Sequence, residues 1–285
     1  MARRRINKRI KPTPTPTFTD DLVDVQFAFD GMRESNEQIK DVYCAAEFPD
    51  QFRIPKSEWK DRAAENDKHK SWAENYSGRF TNQNPSHECV CHASQQVFMA
   101  CFNRQYGSLK DDIWFSPLAL YTRITGGRQW GGSNVLSALQ EMMEVGMIPD
   151  DDGPKGLDSQ KKRFAHTVHT TSGSVCDEGW IRPQDLPDGW KATAKCFRVL
   201  EAYKITDREA HASSLLHGWG ICNGRSGHSI PHLRLVWRDG VVYSKYKDSY
   251  DVYRYDSERM WGGGYCIRSV TMPEDIKLPC PMLGE

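Results

Sequence analysis

Cys89 has beside it most of what a thiol needs to become a nucleophile. Val90, Ala93, Val97, Phe98, Cys101 and Phe102 recur with helical period, which predicts a buried helix of about four turns ending near Tyr106-Gly107. Cys89 opens it, where unpaired N–H groups and the helix dipole favour a thiolate. Most cysteines are small buried apolar residues, so the surroundings have to separate this one from the other eight. They do so through Asn82-Gln83-Asn84-Pro85-Ser86-His87-Glu88-Cys89, which sets a glutamine six residues before the thiol. The Gln83 amide can donate to the oxyanion formed when a thiolate attacks a carbonyl, with the Cys89 backbone N–H as second donor. Adding a distant His and an Asn or Asp completes the parts list for nucleophilic acyl transfer.

The base has two candidates on one hairpin. Residues 228–237 and 241–247 are β-rich runs joined through Asp239-Gly240, a strong two-residue turn signal. That turn brings His228 and Asp248 to the same end of the hairpin. A simple register sets 228 opposite 251, leaving Asp248 three residues away on the wrong face. A bulge corrects the face but is not expected to remove the remaining offset along the strands. His232 falls opposite 247 or 248, depending on loop length, and is the alternative base. His228 is preferred for its Gly227-His228 context. His92 reads as a core histidine, His211 and His217 lie on a short helix, and His166 and His169 sit in a loop-rich stretch.

These residues need elements to carry them. Residues 20–47 predict one or two helices, from the spacing of Leu22, Val25, Phe27, Phe29 and Met32, then Ile39, Val42 and Tyr43. Residues 49–87 are polar and punctuated by Pro49, Pro55 and Pro85, which suggests an extended wrap. A second helix is expected from Asn134 to about Val145, capped by Ser133 and stopped by Gly146. Residues 151–195 read as loops, 196–204 as a strand, 207–217 as a helix and 264–270 as a final strand. A helical front half and a β-rich back half make an α+β protein with two lobes facing each other.

Composition bounds the rest. The 285 residues carry 38 basic and 38 acidic side chains, and no apolar run approaches 18 residues, so no membrane span is expected. No apolar segment follows the basic start, so no secretory signal peptide is expected either. Six of the basic residues fall within residues 1–11, before the Lys11-Pro-Thr-Pro-Thr-Pro-Thr17 spacer of polyproline type. Such an arm, residues 3–11, suits a nucleic acid or an acidic assembly partner. Nine cysteines without a signal peptide suggest free thiols in a reducing, cytoplasmic compartment or in a virus particle. Cys89-Val-Cys91-His92 lacks the second ligand pair that structural zinc needs, so neither a metal nor a cofactor is implied.

The segments together resemble those of the papain-like cysteine peptidases, including the bleomycin-hydrolase branch. Gln83 and Cys89 match the family's Gln-to-Cys spacing. Gly131-Gly132 and Gly146-Met147-Ile148 resemble its glycine pair and the Gly-Ile that follows. Gly227-His228-Ser229-Ile230 resembles the histidine segment, Lys247-Asp248-Ser249-Tyr250 the Lys-Asn-Ser-Trp, and Trp261-Gly262-Gly263-Gly264-Tyr265 the Trp-Gly-x-x-Gly-Tyr. Three departures stand out: Val90 follows the cysteine in place of Trp, Asp248 stands where Asn is usual, and Tyr250 replaces Trp. The resemblance implies a papain-like two-lobed fold, with 80–190 as the helical lobe and 191–285 as the β-rich lobe. These follow an arm over 1–18 and an extension over 19–79, within which 20–48 could serve as a prodomain. It also implies a cysteine peptidase acting on a peptide or protein, with Cys89 as nucleophile, His228 as acid–base group, Asp248 orienting it and Gln83 holding the oxyanion. Gly131 and Gly132 would bind the substrate backbone. The competing readings are an assembly or virion protein that kept the fold without turnover, and a peptidoglycan-cleaving cysteine amidase or endopeptidase.

Overall fold

Cys89 to Tyr106 forms one 18-residue helix in the computed structural model, which describes residues 45–271 other than 79, 84–86, 107–113, 128–131, 150–166, 170–174, 178–182, 187–188 and 251. The described helices are α1 (Trp59–His69), α2 (Ala73–Tyr76), α3 (Cys89–Tyr106), α4 (Pro117–Thr125), α5 (Val135–Glu144), α6 (Trp190–Lys195) and α7 (Arg208–Leu216). The described strands are β1 (Ala46–Glu47), β2 (Thr81–Asn82), β3 (Thr167–His169), β4 (Val175–Asp177), β5 (Val199–Ile205), β6 (Ile221–Arg225), β7 (His228–Arg238), β8 (Val241–Asp248), β9 (Val252–Ser257) and β10 (Gly264–Val270). Seven strands form a sheet in the order β1-β5-β10-β6-β7-β8-β9, and a small second sheet runs β2-β4-β3.

The expected apolar stripe of α3 is buried, and so is the rest of the helix as far as Asn103. One side packs Phe98 and Phe102 edge-on against Phe115, at centroid distances of 4.9 and 5.4 Å. Phe115 in turn meets Phe197 at 5.1 Å. Several polar side chains of the helix find hydrogen-bond partners, as most buried polar groups do. Gln96 donates to Thr81 Oγ1 at 2.8 Å, Asn103 to the Tyr76 carbonyl at 2.7 Å, and Ser94 Oγ meets Cys222 Sγ at 3.4 Å. A second core lies on the sheet around Trp72, Phe48, Tyr203, Trp219 and Trp261.

Several sequence expectations need correction. Residues 49–87 are not only a wrap: α1 forms there and buries Trp59 and Ala63, one helical turn apart. Two buried apolar positions in eleven residues left too weak a period to find it. Ala46 and Glu47 pair in parallel with Tyr203 and Lys204 as a strand, not a helix, and the rest of the helix expected over 20–47 lies outside the described residues. So do the basic arm and most of 151–195, where α6 is nevertheless helical. The second helix is capped by Asn134, whose Oδ1 accepts from the Ser137 N–H at 2.8 Å, and not by Ser133. The strands β2, β3, β4, β6 and β9 were not anticipated.

Gly146 ends that helix for a stronger reason than flexibility. Its φ is +105°, and a Cβ there would lie 1.9 Å from the Ala194 carbonyl oxygen. The next residue anchors the crossing, with Met147 N–H donating to the Phe197 carbonyl at 2.8 Å. Gly146→Ala should cost at least about 3 kcal/mol, since strain and a backbone clash act together. Thermal unfolding by circular dichroism checks this, and an unchanged midpoint would contradict it.

Candidate active site

The hairpin signal at Asp239-Gly240 forms a turn with φ of +48° and +79°, the positive pair of a type I′ turn. It sets Arg238 opposite Val241 and Trp237 opposite Val242. The register then slips: His232 faces Tyr246 while Arg234 faces Lys245, so Leu233 is the extra residue of a bulge. Beyond it the face is corrected, and 228 falls two positions from the residue opposite 248. The lengthwise offset remains, as expected, but it does not separate them, because diagonal neighbours on one face lie within reach of a long side chain. His228 Nε2 and Asp248 Oδ1 are 3.1 Å apart, and both residues are buried. Tyr250 stacks on the imidazole at 5.9 Å between centroids.

Gln83 is tied to the same segment. Its N–H donates to the Ser249 carbonyl at 2.8 Å, and the Ser249 hydroxyl donates to its side-chain Oε1. That bond directs the Nε2 amide, a donor, away from Ser249. The glutamine is therefore joined through a single residue to the His228–Asp248 pair. Cys89 opens α3 and is fully buried. The helix meets the strand that carries His228 through Cys222, which lies 3.4 Å from Ser94 Oγ and 3.5 Å from Ser229 Oγ.

A second cysteine, Cys91, lies within the first turn of α3. Burial pushes the Cys91 thiol well up, with the Glu88 carboxylate adding to it, so Cys91 stays protonated. His92 sits in the core with its Nε2 3.7 Å from Glu88 Oε2, both buried. Gly132 precedes α5, whereas Gly131 lies outside the described residues. Among the described residues no group of three or more His, Cys, Asp or Glu could hold a metal.

His232, the alternative base, is engaged elsewhere. Its Nε2 lies 3.1 Å from Asp256 Oδ2 and its Nδ1 3.0 Å from His211 Nε2. Burial, with His232 adding to it, holds His211 well below the usual histidine range. Its ring lies flat on Trp261 at 4.7 Å. Sequence reading found neither this second His–Asp pair nor Arg254, whose Nε lies 2.8 Å from Asp248 Oδ2. Both were hidden by the unanticipated β9: its pairing of Arg254 with Tyr246 and of Val252 with Asp248 puts Arg254 on the face of Asp248.

No protein-family model matches the sequence, and no curated protein matches it either. Solved structures do match. Procathepsin B S9 from Trypanosoma congolense is similar at a TM-score of 0.50 and 12% identity, over 81% of this chain and 84% of that one. A digestive procathepsin L2 proteinase from Tenebrio molitor larval midgut is similar at a TM-score of 0.50 and 9% identity, over 86% and 78%. Identity this low carries the fold alone. The chain has the papain-like two-lobed α+β fold, at a remote distance from the cysteine proteases that share it.

Proposed function

We propose that the protein is a cysteine peptidase that hydrolyses peptide or isopeptide bonds through Cys89, His228, Asp248 and Gln83. The observation that carries this reading is the His228–Asp248 hydrogen bond at 3.1 Å, next to a glutamine fixed six residues before a cysteine that opens a buried helix. With Nε2 facing Asp248, Nδ1 is the ring nitrogen that exchanges a proton with the thiol. The Cys89 thiolate adds to the carbonyl carbon, and its negative oxygen is met by the Gln83 amide and the Cys89 N–H. His228, holding the thiol proton, delivers it to the leaving amine as the C–N bond breaks and a thioester remains. Water then attacks the thioester, its proton passes to His228, and the carboxylic acid leaves as the thiol is restored.

Iodoacetamide at pH 8 should label Cys89 first among the nine cysteines. Burial pushes Cys101 and Cys266 up to about 12, so only about one thiol in ten thousand is ionised there at that pH. Peptide mapping reads the order, and labelling of Cys101 or Cys266 ahead of Cys89 would remove the nucleophile assignment.

Gln83→Ala should lower kcat on unfolded casein by roughly 10²–10³-fold while changing the Cys89 alkylation rate far less. An oxyanion donor acts on charge that develops during the reaction and not on the resting thiol. Parallel assays with purified cell wall distinguish peptide-bond cleavage in proteins from peptidoglycan cleavage. Equal losses in turnover and alkylation would exclude the oxyanion role.

A further inference from the structure

We infer that Arg254 is a positioning residue for the acid–base pair, holding Asp248 as a proton acceptor so that His228 keeps its proton on Nε2. This rests on the proposed roles of Cys89 and His228 and extends the site to a strand that had no assigned part in it.

An amide side chain at position 248 would offer His228 a neutral acceptor oxygen and need no counter-charge. A carboxylate there is 2% exposed, and a buried carboxylate needs a cation or several donors to be tolerated. Arg254 is placed to supply both charge and donor. Its Nε lies 2.8 Å from Oδ2 while Oδ1 faces His228 Nε2 at 3.1 Å, so the two oxygens are divided between two partners. Guanidinium has donors and no acceptor. A fixed positive charge 2.8 Å from Oδ2 favours the charged carboxylate over the neutral acid, and the carboxylate then accepts from the imidazole on its other oxygen.

The consequence reaches the thiol. A neutral imidazole has one N–H, and the nitrogen facing an acceptor must be the one that carries it. With the proton on Nε2, Nδ1 is a base. A protonated Asp248 could instead donate to Nε2, and the ring proton would then sit on Nδ1, which could no longer take a proton from Cys89. Arg225 is another cation whose charge reaches Asp248, but its guanidinium reaches Asp256 Oδ1 at 3.3 Å and the Tyr246 hydroxyl at 3.1 Å. Asp256 also meets His232, so Arg225 belongs with the second His–Asp pair. The backbone explains the division: Arg254 is opposite Tyr246 and Asp256 opposite Ser244, two steps apart on the same face of β9.

The test is a double-mutant cycle on the full chain with two readouts. Ring ¹⁵N shifts of labelled histidine, with His228 assigned through His228→Gln, report which nitrogen carries the proton. Iodoacetamide alkylation of Cys89 reports the working pair. Arg254→Leu should move the His228 proton toward Nδ1 and slow alkylation by about 10-fold, within the range of contacting polar pairs. Arg254→Lys, which keeps the charge, should restore the rate to within about 3-fold. In an Asp248→Asn background, where no carboxylate needs a partner, Arg254→Leu should change the rate less than about 2-fold. An unmoved tautomer in Arg254→Leu, or equal losses in both backgrounds, overturns the proposal. Should wild-type Cys89 prove unreactive while the tautomer still depends on Arg254, the peptidase reading fails and the positioning role stands.

Discussion

A helix buried on every side has to be matched on every side, and α3 sets that demand for the whole molecule. Phe98 and Phe102 are met by Phe115, and the side bearing Ser94 by Cys222 on the large sheet. Gln96 and Asn103 require partners where water cannot reach, and find them at Thr81 and in the carbonyl of Tyr76. Each of those partners belongs to a segment with little structure of its own. The two-residue β2 and the single turn of α2 are held in place because the helix must be satisfied. The same contact anchors Thr81, two residues before Gln83.

Much of the β-rich half was legible in the sequence because its signals are local. Asp239-Gly240 defines a turn by its own backbone preferences, and the β-branched and aromatic residues around it define the strands. The helix at 207–217 appears as α7 with Asp207 as its cap, accepting from the Ala210 N–H at 2.8 Å. The signals that failed depend on the rest of the chain. Ala46 and Glu47 become a strand because Tyr203 and Lys204 offer an edge, a fact no local pattern contains. Trp59 and Ala63 mark α1 only once the surface that buries them exists. At Asn134 the error was one residue, between two side chains that cap equally well on their own.

The site divides along the same line. Cys89, Gln83 and His228 could be proposed from types and spacing, since each sits in a short run of distinctive neighbours. Arg254 was not, because its importance derives from the charge on Asp248 two strand positions away. A carboxylate buried beside an imidazole raises the question of its counter-charge, and only the pairing of β8 with β9 answers it. The second His–Asp pair was missed for the same reason: His232 was considered as a rival for one acid when it had another.

The bulge at Leu233 has a meaning for how this hairpin can change in length. Leu233 is buried with Ala73 and Ala100, so the extra residue is pinned by the central helix and cannot slide along the strand. Everything between that pin and Asp248 then works by parity. Unless the turn lengthens to absorb it, a single insertion or deletion within either strand would rotate Asp248 to the opposite face of the sheet, while a pair of them, one on each strand, would leave it in place. The far end of the hairpin is thus open to growth and shortening in even steps, and closed to odd ones.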